Sequence, residues 1–363
     1  MHVDFDTAEQ MFKEDKITVL SQTQDGLRYL KIRSLSRKKY LKRLVEAAKL
    51  EIDDYRVRVM FRSLYEKQVP IDLIDELIEK IYEEQRVKRR AFEDELVHSL
   101  YQLHVFDWGG IYRGGLERTI VNNYVKKIWR YETLCQKIDE ELHDSLRGYV
   151  LCSWYNNWTS IIIEDIFRDH PNVLPAVVRV KNIDFFINDV PFDLKVTYLP
   201  RQYVGEKRRE QGLHHEHTVL KHLADDLGVF YDESLSGSQF LGDLWQKLSD
   251  HPSAKAAHGL QDLKNFRDTL LGNALQDPSE LIQWLYENQG RRRFDAANRL
   301  FLILVNKSSY FDSWKLKRAR PLLVERISSY LDTADQNPGN MVKFEYEGQV
   351  YEALSEAIII VRD

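Results

Sequence analysis

The segment Asn182-Ile-Asp-Phe-Phe-Ile-Asn-Asp-Val-Pro-Phe-Asp-Leu-Lys-Val-Thr197 decides the fold of this chain. At its centre, Asn188-Asp189 suits a two-residue hairpin loop, because Asn and Asp both tolerate a positive φ. Counting outward from that loop places Asp184 directly opposite Asp193 on the neighbouring strand. The sequence therefore predicts a β-hairpin that carries two facing carboxylates.

The two faces of this hairpin differ in chemistry, because side chains alternate across a strand. The apolar face, which predicts a core contact, comprises Ile183, Phe185, Ile187, Val190, Phe192, Leu194 and Val196. The opposite face, predicted to be half open, comprises Asn182, Asp184, Phe186, Pro191, Asp193, Lys195 and Thr197. The charged residues are therefore expected to lie together on one side of the sheet.

Facing carboxylates repel each other unless a cation lies between them or one of them is protonated. The pair of Asp184 and Asp193 therefore indicates a cation site, and carboxylate oxygens suit Mg²⁺ or Mn²⁺. Lys195, on the same strand and face as Asp193, adds a positive donor beside it. An isolated Asp-x-Lys is more often a solvated strand face. Here the register and a third acid favour a functional site.

The spacing of the charged residues is distinctive, since Asp184 is followed after eight residues by Asp193-Leu-Lys195. This pattern resembles the PD-(D/E)XK nuclease superfamily, also called restriction-endonuclease-like. In that family an acid lies on one strand, an acid-x-lysine lies on the next, and a Glu lies on the preceding helix. Glu164 is the candidate helix acid, and the adjacent Asp165 is the alternative. The resemblance extends over residues 147–202 and lacks the Pro that commonly precedes the first acid.

The resemblance implies an α/β (α+β) fold in which a central mixed β-sheet is flanked by helices. It implies a Mg²⁺-dependent DNA endonuclease, most like a type II restriction enzyme, that leaves 5′-phosphates and accepts Mn²⁺ in place of Mg²⁺. The metal ligands would be Glu164, Asp184 and Asp193. Lys195 would complete the catalytic set.

Double-stranded DNA and a second copy of the chain are the partners that the resemblance implies. Two alternatives stay open. One is a nucleic-acid-binding or assembly protein that keeps the fold without catalysis. The other is a repair, transposition or RNA-directed nuclease with the same core.

Basic residues indicate where a nucleic acid would bind, although the formal net charge of the chain is −5. Residues 291–326 contain ten basic and three acidic side chains. The candidate DNA-binding residues of this segment are Arg291, Arg292, Arg293, Lys315, Lys317, Arg318 and Arg320. Thr197 and Gln202, which follow Lys195, are further candidates for phosphate contacts. For any single cluster, a solvated helix face is the alternative.

Length and composition predict a soluble, cytoplasmic protein. The chain has 363 residues, of which 43% are hydrophobic, and no apolar run long enough to span a membrane. Its polar start does not resemble a signal peptide. Cys135 and Cys152 are too few for a disulfide scaffold or a four-cysteine zinc site. His214-His215-Glu216-His217 lacks the His-Glu-x-x-His spacing of a zinc protease.

Three regions are predicted along the chain. Residues 1–145 contain an N-terminal β-hairpin and a helical region, suited to DNA gripping or dimerisation. Residues 146–330 form the nuclease core, with a helical insertion at about 206–290. Residues 331–363 complete the core with a C-terminal β-hairpin.

Individual elements are predicted within these regions. The N-terminal hairpin spans residues 17–34 around Gln24-Asp25-Gly26, and a helix begins at Pro70. The nearly continuous apolar run at 300–305 predicts a central strand covered on both faces, followed by a helix at 315–326. A hairpin at 341–354 precedes a separate apolar run at the C-terminus.

Overall fold

The computed structural model describes residues 2–106, 120–141, 144–232, 237–288, 297–334, 340–346 and 349–363. In this part of the chain, six strands form one mixed β-sheet with helices packed on both faces. The prediction of an α/β fold with a central mixed sheet flanked by helices is confirmed at that level. No helix of the described residues is long and apolar enough to cross a membrane.

The N-terminal helices share one apolar core. They are α1 (Phe5–Lys13), α2 (Ile17–Ser21), α3 (Gln24–Arg33), α4 (Lys38–Ala47), α5 (Val57–Glu66) and α6 (Ile71–Arg90). α6 begins directly after Pro70, as predicted, and buries Ile74, Ile78 and Ile81 along one stripe. This spacing gives the helix a single apolar face, which packs into the shared core.

The predicted β-hairpin at residues 17–34 is wrong, because these residues form α2 and α3. Thr23 caps α3, since its hydroxyl accepts a hydrogen bond from the Gly26 N–H at 3.0 Å. A Cβ at Gly26 would lie 1.8 Å from the carbonyl oxygen of Leu20, so glycine allows the close approach of the two helices. Gln24-Asp25-Gly26 therefore begins a helix and is not a strand turn.

A second group of helices leads into the sheet. It comprises α7 (Glu93–Leu100), a π-helical turn (Val121–Val125), α8 (Tyr131–Glu141) and α9 (Asp144–Arg168). The indole N–H groups of Trp154 and Trp158 on α9 donate to the carbonyl oxygen of Ile128 at 3.0 and 3.3 Å. Both indoles are buried, so these aromatics belong to the core.

The sheet has the strand order β1-β2-β3-β4-β6-β5. The strands are β1 (Val173–Val180), β2 (Ile183–Ile187), β3 (Val190–Tyr198), β4 (Arg299–Asn306), β5 (Asn340–Tyr346) and β6 (Gln349–Arg362). β1, β2 and β3 form an antiparallel meander, whereas β4 pairs parallel to β3 and β6 pairs parallel to β4. β5 is an antiparallel partner of β6. β4 confirms the central strand predicted at 300–305, and all its residues except the last are buried.

Parallel pairing of β3 with β4 requires a crossover, which helices provide. They are α10 (Arg201–Glu210), α11 (Glu216–Leu227), α12 (Gly237–Ser249), α13 (Ala254–Gln276) and α14 (Ser279–Glu287). α11, α12 and the first half of α13 share an apolar core of their own. This cluster lies within the range where a helical insertion was predicted.

Two predicted elements near the C-terminus differ from the structure. Residues 315–326 are not one helix, because a 3₁₀-helix (Tyr310–Arg318) ends before α15 (Arg320–Asp332) begins. Pro321 in the first turn of α15 has no N–H with which to continue a preceding helix. β5 and β6 pair as the predicted hairpin, but β6 also includes the apolar run that was expected to be separate. Its second half continues without a break because it pairs with β4.

The two faces of the sheet are covered differently, which positions the candidate site. α9 and α15 cover the first face over Phe185, Phe192 and Leu194. On the second face, the N-terminal helices cover β1 and β2, so that Phe186 is only 1% exposed. Helices α10, α13 and α14 cover β4, β5 and β6 on that same face. The face predicted to be half open is therefore largely closed, and a cleft remains beside the N-terminal helices at Asp193 and Lys195.

Candidate active site

The β2–β3 hairpin has the predicted turn and register. Asn188 and Asp189 adopt positive φ angles of 49° and 67° and form the two-residue loop. The predicted pairs Phe186 with Pro191 and Phe185 with Phe192 are both present. The hairpin therefore brings the three charged residues to the same end of the meander.

The ladder between β2 and β3 ends one step short of the predicted pairing of Asp184 with Asp193. The Leu194 N–H donates to Asp184 Oδ2 at 2.8 Å, so the side chain of Asp184 replaces the next ladder bond. The Asp193 N–H donates to the carbonyl oxygen of Asn298 at 2.9 Å, where β3 begins to pair with β4. The strands separate at this point, and the separation opens space between the two carboxylates.

That space is part of a cleft of about 630 Å³. The four residues predicted as catalytic, Glu164, Asp184, Asp193 and Lys195, all line it. Glu164 comes from the last turns of α9, and the other three come from β2 and β3. One helix and two strands thus present charged side chains to the same cleft.

The two aspartates of the cleft have different surroundings. Burial raises the pKa of Asp184 above its ordinary value, and the nearby carboxylate of Asp193 raises it further. The hydrogen bond from the Leu194 N–H opposes this effect only in part. Asp193 is buried, and its Oδ1 accepts a hydrogen bond from Lys195 Nζ. The Nε of Arg299 lies 3.6 Å from Asp193 Oδ2, so positive charge surrounds this carboxylate.

Glu164, the predicted helix acid, lies in the last turns of α9 and lines the cleft. Burial raises the pKa of its carboxyl group, the Arg168 guanidinium opposes this effect, and Asp184 adds to it. Arg168 Nη2 lies 2.9 Å from Glu164 Oε2 and also donates to the carbonyl oxygen of Asp184 at 3.2 Å. Arg168 therefore connects the end of α9 to the first catalytic strand.

Asp165, the alternative helix acid, is held by arginines of α6. Its carboxylate accepts hydrogen bonds from Arg89 Nε at 2.6 Å and from Arg89 Nη2 at 2.7 Å. Arg86 Nη1 lies 3.6 Å from it, and Asp165 is 2% exposed. Asp165 thus ties α9 to α6, away from the cleft, whereas Glu164 lines the cleft.

Neutral substitution is expected to lower stability at Asp165 and to lower activity at Glu164. Asp165→Asn leaves the half-buried Arg89 without its carboxylate partner and removes one of the three carboxylates around the buried Arg86. It is expected to lower the free energy of unfolding by about 3 kcal/mol. Glu164→Gln removes a partly exposed helix pair and is expected to change it by less than about 1 kcal/mol while reducing cleavage. Urea denaturation and a nuclease assay on both variants measure these effects. Equal loss of stability in the two variants would contradict this assignment.

The donor set of the cleft fits a hard divalent cation held by two carboxylates. Mg²⁺ usually takes one or two protein carboxylates and completes its octahedron with water and phosphate oxygens. Asp184 and Asp193 supply such a pair. Burial is the main cause of the raised pKa of Asp184, and the nearby carboxylate of Asp193 adds to it. Among the described residues, no group of three His, Cys, Asp or Glu side chains is close enough to hold a metal ion. Glu164 therefore fits the role of a water-mediated ligand better than that of a direct one.

The residues predicted for DNA binding lie in several places. Lys315 pairs with Asp312 at 2.9 Å, and Arg320 pairs with Glu93 at 2.7 Å. Thr197 is half-buried on β3. Arg291, Arg292 and Arg293 lie outside the described residues.

Lys317 and Arg318 are buried and do not form part of a basic surface. Burial lowers the pKa of Lys317 to about 8, and its Nζ donates to Asn156 Oδ1 at 3.0 Å. Arg318 Nη1 donates to the carbonyl oxygens of Leu100 and Leu103, both at 2.7 Å. Both side chains are therefore part of the packing on the first face of the sheet.

Gln202 lies at the start of α10 in a second cavity of about 640 Å³. Arg201, Arg209 and His215 also line this cavity. Arg209 Nη2 lies 3.1 Å from His215 Nε2. The cavity therefore combines hydrogen-bond donors with the carboxylate of Glu206, and the phosphate contact predicted for Gln202 stays a prediction.

Sequence reasoning missed the residues that form the other wall of the catalytic cleft. Phe12 and Arg33 come from the N-terminal helices, and Arg179 and Lys181 come from the end of β1 and the turn that follows. Phe12 and Arg33 are far from the predicted motif in sequence, so no local pattern marks them, whereas Arg179 and Lys181 lie just before Asp184 and could have been noted as basic neighbours of the motif. The packing of the N-terminal helices on β1 brings Phe12 and Arg33 to the cleft.

Comparisons with protein-family models, with curated proteins and with solved structures found no match to this chain. The functional assignment therefore depends on the geometry of the cleft and on the residues that line it.

Proposed function

We propose that this protein is a Mg²⁺-dependent DNA endonuclease with a restriction-endonuclease-like core, most like a type II restriction enzyme. One observation carries the proposal: Glu164, Asp184, Asp193 and Lys195 line a single cleft. The helix that supplies the glutamate precedes the strands that supply the aspartates and the lysine, which is the order of the resembled superfamily. Binding alone does not require two half-buried or buried carboxylates at one point, so catalysis is favoured over a purely binding role.

The residues of the cleft divide the work of phosphodiester hydrolysis. When bound by Asp184 and Asp193, Mg²⁺ (or Mn²⁺) supplies Lewis acidity that lowers the pKa of a bound water and stabilises charge on the scissile phosphate. Asp184 and Asp193 orient the reacting groups from two strands. Lys195, which contacts Asp193 and lines the cleft, donates a hydrogen bond from its charged ammonium group to the attacking water or to a phosphate oxygen as negative charge develops. Glu164 orients water at the helix side of the cleft.

The proposed substrate is double-stranded DNA, and the proposed products carry 5′-phosphates. Cutting both strands requires two active sites, so we propose a homodimer as the active form. Sedimentation of the protein alone and with DNA tests this part, and a strict monomer in both conditions would contradict it.

Replacing Lys195 is expected to lower the rate of DNA cleavage by about 10²–10³-fold, because removing one positive donor from a developing anion has an effect of this size. The measurement is cleavage of a long mixed-sequence DNA with Mg²⁺ and with a chelator, using the parent protein and Lys195→Ala. Lys255→Ala is a matched control, since Lys255 also pairs with an aspartate, Asp226 at 2.7 Å, but lies on α13.

The outcomes separate the proposal from its alternatives. Chelator-sensitive cleavage that Lys195→Ala loses and Lys255→Ala keeps would support the nuclease. Salt-dependent binding without cleavage would instead favour a protein that binds nucleic acid without catalysis. Cleavage without sequence preference, read from the sequenced ends, would favour a repair or transposition nuclease.

A further inference from the structure

Two arginines outside the predicted catalytic set line the same cleft as Asp184 and Asp193. Arg33 is the last residue of α3, and Arg179 lies near the end of β1. The Val178 N–H donates to the carbonyl oxygen of Ser34 at 3.1 Å. This backbone hydrogen bond joins the residues next to the two arginines, so a basic side chain from the N-terminal helices and one from the sheet enter the cleft side by side.

The other charged groups of the cleft already have partners. Lys181 pairs with Asp15 at 2.6 Å, Lys195 contacts Asp193, and Glu164 pairs with Arg168. By contrast, no acidic side chain in the described part of the chain forms a salt bridge with Arg33 or Arg179. The guanidinium of Arg33 lies 5.1 Å from the centre of the Phe12 ring. This contact orients the group but does not neutralise its positive charge.

Two guanidinium groups that enter one cleft without a carboxylate between them are suited to an anion. Guanidinium is planar and donates paired hydrogen bonds to phosphate oxygens. A nucleic-acid strand carries a phosphate at every nucleotide, so a strand with one phosphate at Asp184 and Asp193 presents another further along the cleft.

We infer that Arg33 and Arg179 form a phosphate-binding subsite for a second, non-scissile phosphate of the nucleic-acid strand. This inference rests on the proposed function and extends it to the N-terminal helices. Those helices form one wall of the substrate cleft, and Arg33 and Arg179 position the strand that the catalytic residues cut. The two arginines are positioning residues, since they act on a phosphate that does not react.

The test is equilibrium binding of a fluorescent DNA duplex of mixed sequence, measured over a salt series with EDTA present so that no strand is cut. The double variant R33Q/R179Q is expected to bind about tenfold or more weakly, because hydrogen bonds to charged groups are involved. The slope of log K against log salt concentration is expected to be shallower by about 0.7–0.9, the value for one neutralised phosphate. R33K/R179K, which keeps both charges, is expected to restore the slope and part of the affinity.

R130Q is the matched control, because Arg130 is an exposed arginine that pairs with Glu95 and does not line the cleft. It is expected to keep the parent affinity and slope. Arg179 is exposed on β1, so R179Q alone provides a variant with little risk to the fold. Parent-like affinity and slope in both R33Q/R179Q and R179Q would overturn the subsite.

Failure of the subsite and failure of the nuclease give different results. If the parent cuts DNA and R33Q/R179Q binds as the parent does, the subsite fails and the nuclease stands. If the parent binds DNA through these arginines but does not cut it with Mg²⁺, the subsite stands and the nuclease fails.

Discussion

Asp184→Asn is expected to lower DNA cleavage by about 10³-fold or more while leaving the protein at least as stable as the parent at neutral pH. The loss of activity follows because metal polarisation contributes several kcal/mol and about 1.4 kcal/mol corresponds to a factor of ten. The gain or retention of stability follows because burial, and then the nearby carboxylate of Asp193, both disfavour the charged form of Asp184. Asn removes that charge, and its side-chain oxygen still accepts the hydrogen bond from the Leu194 N–H.

The pH dependence of stability has a defined sign at this position. The folded protein raises the pKa of Asp184 above its ordinary value of 3.8, so the folded state holds this proton more tightly than the unfolded chain does. Between the two pKa values, the contribution of Asp184 to stability therefore falls as the pH rises. Asp184→Asn is expected to lack that decline, so its stability relative to the parent should increase from acidic to neutral pH.

Asp169→Asn is the matched control for this prediction. Burial raises the pKa of Asp169, but the hydrogen bonds from Arg86 and Tyr82 outweigh it and hold the pKa below its ordinary value. Asp169→Asn is therefore expected to destabilise the protein at neutral pH. The measurements are urea denaturation at several pH values and the thermal midpoint with and without Mg²⁺.

Added Mg²⁺ is expected to raise the midpoint of the parent and of Asp169→Asn by mass action, and to have little effect on Asp184→Asn. A Mg²⁺ response in Asp184→Asn equal to that of the parent would contradict the metal site. A loss of stability in Asp184→Asn at neutral pH would show that the charged form of Asp184 is not disfavoured.

The catalytic hairpin could be predicted from sequence because its determinants are local. Asn188-Asp189 specifies the turn, and strict alternation from Ile183 to Val196 specifies which side chains share a face. Two features were not predicted. The N-terminal helices close the face that was expected to be half open, and they bury Phe186 together with Ile183, which was predicted on the opposite face. The strands separate at Asp184 because β4 pairs with Asp193. That contact joins residues about a hundred positions apart, which no local pattern specifies.

The choice between Glu164 and Asp165 shows where local reasoning ends. Adjacent residues on a helix point in directions about 100° apart, and both acids suit the sequence pattern equally. The choice depends on Arg89 of α6, which binds Asp165 and fixes it away from the cleft. Gly26 is a second example. Its sequence context predicted a turn, but in the structure the close approach of α2 to α3 requires a residue without a Cβ.

Lys31→Met is expected to destabilise the protein by about 2–3 kcal/mol, because it removes a buried ammonium group and leaves the half-buried carboxylate of Asp75 without its cation. The side chain of Lys31 on α3 is fully buried, and its Nζ lies 2.6 Å from both Asp75 Oδ2 and Asp189 Oδ1. Asp75 belongs to α6, and Asp189 is in the turn of the catalytic hairpin. Lys31 therefore fastens that hairpin to the N-terminal helices, and cleavage is expected to fall together with stability.

Lys181→Met is the matched control, because Lys181 also joins a turn of the catalytic meander to the N-terminal helices through a 2.6 Å pair with Asp15. Its side chain is 57% exposed, so its removal is expected to change stability by only about 0–1 kcal/mol. Comparable losses in the two lysine variants would show that burial does not set the strength of these contacts.

The effect of Lys31→Met is also expected to depend on pH, with a sign set by Asp75. Burial raises the pKa of Asp75 to about 6, even though Lys31 opposes the shift. Without Lys31 the half-buried carboxylate of Asp75 has lost this cation, so the free energy of unfolding of the variant is expected to fall most at pH values where Asp75 is ionised. The destabilisation measured by urea denaturation is therefore expected to be larger at pH 8 than at pH 5. An equal loss at both pH values would mean that the penalty comes from packing rather than from the unpaired carboxylate, and that the hairpin is held to the N-terminal helices by shape alone.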